Sequence, residues 1–148
     1  MNEKQKQIFQ FFNEVGIINQ LSTTLMNRQL PGGLHLSHFS VLNHLSRLGD
    51  GKTPLYIANA FQVTKGNMTN TLTKLSSKGY IRLAPHAKDG RSKLVFLTDE
   101  GRAFHQHAMQ SLMPIIEKMS GSLDVEAMTR MVPDLAAVRQ VLDENRQD

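Results

Sequence analysis

Residues 65–93 read KGNMTNTLTKLSSKGYIRLAPHAKDGRSK, a polar-faced helix running straight into a basic β-hairpin. From Lys65 to Lys78 the apolar residues Met68, Leu72 and Leu75 recur at steps of three and four, so at about 100° per residue they share one arc. The opposite arc holds Gly66, Asn70, Thr73 and Ser77, with Thr69 at its edge. An ordinary solvated helix face carries Glu and Lys. A face of Asn, Thr and Gly can lie close against another surface and exchange hydrogen bonds with it. Gly79 supplies a left-handed C-cap. Residues 80–83 and 93–97 then read as strands by β propensity, joined by the long loop 84–92. The stretch holds seven of the 17 Lys and Arg but one of the 13 acids, Asp89, and so carries a net +6 against −2 for the rest of the chain. A field focused in this way suits a polyanion, whose counterions are released on contact.

Upstream, Thr53-Pro54 marks a helix start, because Thr caps free N–H groups and Pro fits the first helical position. The short helix that follows is expected to pack through Leu55, Ala58 and Phe61. Thr64 caps the next helix after a brief turn at Gln62-Val63. Two helices joined this tightly form a helix-turn-helix. Before them, Ser37 reads as the N-cap of a helix with Phe39, Leu42, Leu45 and Leu48 inward, ended by the turn Gly49-Asp50-Gly51. Residues 5–29 form a first amphipathic helix through Ile8, Phe11, Phe12, Val15, Ile18, Leu21 and Leu25, stopped by Leu30-Pro31-Gly32-Gly33.

Downstream, Thr98 caps a helix with Asp99 and Glu100 in its first turn and Phe104, Ala108, Leu112, Ile115 and Met119 inward. Ser120-Gly121-Ser122 breaks it. A last helix runs through Met128, Met131, Leu135, Val138 and Leu142. Pro114 and Pro133 are expected to kink these two helices. The expected fold class is mainly α with a small β-hairpin wing. It is a single domain over residues 1–148, with a winged helix-turn-helix at about 37–98 flanked by dimerisation helices at about 5–29 and 99–146. The outer apolar stripes exceed what the small central module can cover.

The 148 residues include no Cys, which excludes a disulfide framework, a thiolate zinc site and a cysteine nucleophile. The start Met-Asn-Glu-Lys-Gln-Lys lacks the apolar core of a signal peptide, and no apolar run approaches the ~18–20 residues of a membrane span. The expected location is the cytoplasm. There is no phosphate-binding Gly-rich loop, no HExxH and no Gly-x-Ser-x-Gly, so an enzyme is not expected. His35 and His38, and His105 and His107, have neither cysteines nor clustered acids beside them, so neither a metal nor a cofactor is expected. The eight Met read as core filler.

The order of elements, the wing Lys88-Asp89-Gly90-Arg91-Ser92-Lys93-Leu94-Val95-Phe96-Leu97-Thr98-Asp99-Glu100-Gly101 and the helix Lys65-Gly66-Asn67-Met68-Thr69-Asn70-Thr71-Leu72-Thr73-Lys74-Leu75 together resemble the MarR family of bacterial transcriptional regulators. The family's wing carries an Asp, an Arg two residues on, and an apolar strand ending in Leu-Thr-x-x-Gly. The resemblance implies a homodimer with the first and last two helices interleaved, bound to a palindromic double-stranded DNA operator in a bacterial or archaeal cell, at the nucleoid. On the residues themselves, the helix from Lys65 suits a major groove. Lys65, Thr69, Asn70 and Thr73 would face base edges and nearby phosphates, and N–H groups near Thr64 would hold a phosphate. Lys74, Lys88 and Lys93 suit phosphates, and Arg91 suits a minor groove beside the wing. By resemblance, Asp89 orients Arg91. Repression is the family's commoner mode, and its members often bind a small effector between the DNA-binding lobe and the dimer helices. Phe12, Phe39 and Met26 are candidates to line such a crevice, with core packing the default. The lack of Cys departs from the family's thiol-based peroxide sensors, and Gly66 lowers helix propensity while permitting close approach. The alternative reading is a winged-helix module that binds protein, RNA, or DNA without sequence specificity.

Overall fold

The computed structural model describes residues 1–86, 88 and 90–146. Six helices and one hairpin follow in the order α1 (Glu3–Gln29), α2 (Leu36–Leu48), α3 (Pro54–Ala60), α4 (Lys65–Ser77), β1 (Ile81–Pro85), β2 (Lys93–Leu97), α5 (Asp99–Ser120) and α6 (Val125–Glu144). The architecture is mainly helical with a two-stranded antiparallel wing, as the sequence implies.

Local capping sets most of the boundaries. The hydroxyl oxygens of Thr53, Thr64 and Thr98 accept from the N–H groups of Tyr56, Asn67 and Gly101 at 3.1, 3.1 and 3.0 Å. Each such cap contributes about 1 kcal/mol. The start of α2 differs from the expectation at Ser37. The N-cap position is His35, whose N–H donates to His38 Nδ1 at 3.0 Å, while the Leu36 N–H donates to Asn27 Oδ1 of α1 at 2.6 Å. The first strand runs on to Pro85, so Ala84 and Pro85 belong to the ladder, which pairs Ile81 with Leu97 and Pro85 with Lys93. Lys52 adds one bridge to Val95 on the far side of β2. Both α5 and α6 continue unbroken past Pro114 and Pro133.

The main core lies within the helix-turn-helix lobe. Val41, Leu42, Leu45, Ile57, Leu75 and Val95 are almost wholly shielded, joined by Met68, Leu72 and Ile81. Burying each large side chain contributes about 1.5–3 kcal/mol. Two expected core residues lie outside: Leu48 is 58% exposed and Leu55 is 53% exposed. Leu48 is the last residue of α2, beyond the packed arc. In α3 the inner arc is Ile57, Ala58 and Phe61, and Leu55 stands about 200° from Ile57, on the opposite side. A second, smaller cluster of Leu30, Phe39, Ala108 and Leu112 joins the lobe to α1 and α5. Neither α1 nor α6 has a buried residue.

Candidate nucleic-acid interface

The turn between α3 and α4 is closed by the Val63 N–H donating to the Ala58 carbonyl at 3.0 Å, and Gln62 takes a left-handed φ of 50° to make it. That turn presents α4 with Met68, Leu72 and Leu75 inward and Lys65, Gly66, Thr69, Asn70 and Thr73 outward. The threonines spend their hydroxyl protons on the helix itself. Thr69 Oγ1 donates to the Lys65 carbonyl at 2.9 Å and Thr73 Oγ1 to the Thr69 carbonyl at 2.8 Å. What they offer outward is a methyl group and acceptor lone pairs. Asn70 makes no side-chain hydrogen bond among the described residues, so both ends of its amide remain available.

The wing rises beside α4. Its loop is drawn together by the His86 N–H donating to the Ser92 carbonyl at 3.1 Å. Between α4 and the wing lies an open cleft of about 520 Å³. Lys65, Thr69, Thr73, Arg91 and Lys93 all line it, over a floor that includes Leu55, Leu72 and Leu83. Five of the nominated residues thus converge from two elements on one concave surface. Thr53, Pro54 and Ser92 also line it and were not read from sequence as contact residues.

The other nominated residues lie elsewhere. Asn70 borders a second groove on the opposite flank of α4, with Ser37, Ser40, Asn67 and Thr71. Lys74 does not line the cleft; burial, with the charges of His35 and then Lys74, holds the His38 imidazole at the start of α2 below its ordinary value. Lys88 is exposed on the wing, and the Thr64 oxygen is taken by its cap bond. Asp89 lies outside the described residues. Arg82, on the outer face of β1, stacks over the Phe96 ring at 4.4 Å and does not line the cleft.

The three candidates for an effector crevice do not form one. Phe39 and Met26 pack in the second core cluster, while Phe12 lies in a separate apolar groove with Leu135 and Leu142 of α6. His105 stacks on Phe39 with ring centroids 5.5 Å apart and lies 3.0 Å from Asn43 Oδ1, where burial lowers its pKa. Among the described residues no group of three or more His, Cys, Asp or Glu is placed to hold a metal ion. No helix among them is long and apolar enough to cross a membrane.

This geometry has counterparts. The sequence pattern of the MarR family matches residues 32–92, from the loop after α1 through the wing tip. The multiple antibiotic resistance protein MarR of Salmonella typhimurium is 33% identical over 101 residues, covering 65% of this chain and 69% of that protein. The chain belongs to the MarR family. Solved structures extend the likeness over nearly the whole length of this MarR-family regulator. The transcriptional regulator BldR from Sulfolobus solfataricus superimposes with a TM-score of 0.77 at 25% identity, covering 93% of this chain and 99% of that one. A mutant MarR from E. coli complexed with operator DNA superimposes with a TM-score of 0.80 at 24% identity, with the same coverage. MarR-family members are regulators of transcription and not enzymes, and the winged helix is their shared fold.

Proposed function

We propose that this MarR-family regulator acts as a homodimeric, sequence-specific repressor of a palindromic double-stranded DNA operator, from which a small-molecule effector releases it. The observation that carries the DNA reading is the cleft between α4 and the wing. When a helix occupies a major groove and a wing the neighbouring minor groove, the sugar–phosphate strand separating them must pass between the two elements. The cleft has the cations for that strand in Lys65, Arg91 and Lys93, and small hydrogen-bonding walls in Thr69 and Thr73. Asn70, exposed on α4, would bond an adenine edge, and Arg91 would enter a narrow A·T minor groove. Lys74 and Lys88, outside the cleft, would add phosphate contacts, and Thr64 would orient the first N–H groups of α4.

The dimer reading draws on the outer helices. Phe9, Ile18 and Leu21 of α1 and Val132, Val141 and Leu142 of α6 are all exposed in the single chain. Residues 1–148 then act as one unit, in which these helices of two chains cover one another. The interleaving sets the two copies of α4 roughly 34–36 Å apart, about one DNA turn.

Binding to duplexes, measured by mobility shift against salt, tests the proposal. A palindromic duplex selected from a randomised pool should bind well above scrambled duplex, single strands and heparin. Arg91→Ala should weaken that binding without lowering the melting temperature. Asn70→Ala should cost about 1–3 kcal/mol and relax base preference at one position per half-site. Indifference to sequence, or to both substitutions, would instead favour a module that binds polyanions at large.

A further inference from the structure

The Leu-Thr-x-x-Gly segment at residues 97–101 has so far only a capping role, yet it joins the recognition helix to the long helix α5. Gly79, with φ of 76°, turns the chain out of α4, and the Tyr80 N–H donates back to the Leu75 carbonyl at 3.0 Å. The Tyr80 carbonyl accepts from the Thr98 N–H at 3.1 Å. Thr98 Oγ1 donates to the Gly79 carbonyl at 2.6 Å and accepts from the Gly101 N–H at 3.0 Å. One hydroxyl therefore closes the end of α4 and opens α5.

Gly101 lets the two approach. A Cβ there would overlap the Tyr80 carbonyl oxygen and lie 2.8 Å from Leu97 Cδ1 and 2.9 Å from the Tyr80 carbonyl carbon. Most of that obstacle is backbone, which cannot swing aside as a side-chain tip can. One turn further on, the Phe104 ring stacks on Tyr80 with centroids 4.4 Å apart. From the other side Asp50 Oδ1 accepts from the Leu97 N–H at 2.9 Å, and Asp50 Oδ2 lies 3.4 Å from Arg102 Nη2. The first turn of α5 is thus fixed to the end of α4, to β2 and to the turn after α2. The far half of α5 carries Met113 and Ile116 exposed.

We propose that Thr98 and Gly101 are positioning residues that set the separation of the two recognition helices, and so decide which half-site spacing the dimer accepts. This rests on the DNA and dimer readings above, and a wild-type protein that stays monomeric in solution and on its selected duplex would overturn the dimer reading. The 22 residues of α5 span about 33 Å. Opening the joint by about 1 Å across a helix about 10 Å wide tilts it by about 6°, which moves the far end by about 3.4 Å. A two-fold dimer repeats the movement in both subunits, so the separation changes by up to about 7 Å, the rise of about two base pairs. A small local change at this joint is therefore enough to change register on DNA.

The test uses duplexes carrying the two half-sites that the wild-type protein selects from a randomised pool, with the spacer changed one base pair at a time. Wild type should show a sharp optimum, and Thr98→Ser, which keeps the hydroxyl, should reproduce it. Thr98→Val should flatten the profile. Gly101→Ala should lose about tenfold at the native spacing and move the optimum by about one to two base pairs. Both variants should stay dimeric and keep their weak binding to scrambled duplex. A merely structural role would lower the melting temperature and leave the spacing profile alone. Folded Thr98→Val with the wild-type profile would overturn the proposal, and the Thr98 pair decides the matter if Gly101→Ala does not fold. A wild-type protein that selects no duplex would overturn the DNA reading instead.

Discussion

Position 66 shows how a single residue separates stability from function. Among the described residues nothing beyond its chain neighbours and its own helix backbone lies within 4 Å of where a Cβ at Gly66 would sit, so packing does not require glycine there. Helix propensity favours alanine at such a site by about 1 kcal/mol. Gly66→Ala is therefore expected to raise the melting temperature and, by pushing α4 off its partner, to weaken duplex binding. Thermal melts and a duplex titration read the two effects separately, and a more stable protein with unchanged affinity would mean that nothing approaches this face. The two leucine-class residues of α3 make a similar contrast. Leu55→Ser should change stability by no more than about 0.5 kcal/mol, because the side chain already faces solvent. Ile57→Ala should cost about 2–5 kcal/mol from the centre of the core, as urea unfolding would show.

Among elements, what could be read from sequence was what the chain decides over three or four residues. Thr53, Thr64 and Thr98 each cap a helix by bonding the N–H three residues on, so both partners sit in one short window. The start of α2 escaped because its cap comes from Asn27, nine residues back on another helix. The Lys52–Val95 bridge and the Asp50–Arg102 contact escaped for the same reason, since each joins segments more than forty residues apart. The candidate site was legible in its charges: the excess of Lys and Arg between residues 65 and 93 points to the walls of the cleft. Its floor was not, because Leu55 and Leu83 look the same in a pattern of apolar residues whether they face a core or a groove. The joint at Asp50 gives a prediction at this scale. Asp50→Ala removes the acceptor of the Leu97 N–H and should cost about 1–3 kcal/mol, whereas Arg102→Ala, which removes an exposed ion pair, should cost about 1 kcal/mol or less in chemical denaturation.

For the molecule as a whole, three histidines tie stability to pH. Burial holds His105 below the ordinary value of 6.5; burial with the charges of His35 and Lys74 does so for His38, and burial with those of Arg47 and Lys52 for His44. As pH falls, the unfolded chain takes up protons on these rings before the folded one does. Stability is therefore full above 6.5 and declines as pH drops through that value toward the lower folded values. Melting temperatures measured through this range should bend downward on the acid side, and His105→Gln should reduce the slope. The bare apolar sides of α1 and α6 carry a separate consequence. In the proposed dimer those sides close on a second chain, and folding and association would become one equilibrium governed by mass action. Each tenfold dilution then takes away about 1.4 kcal/mol, and the midpoint of thermal unfolding slides downward with concentration where that of a self-sufficient chain would stand still.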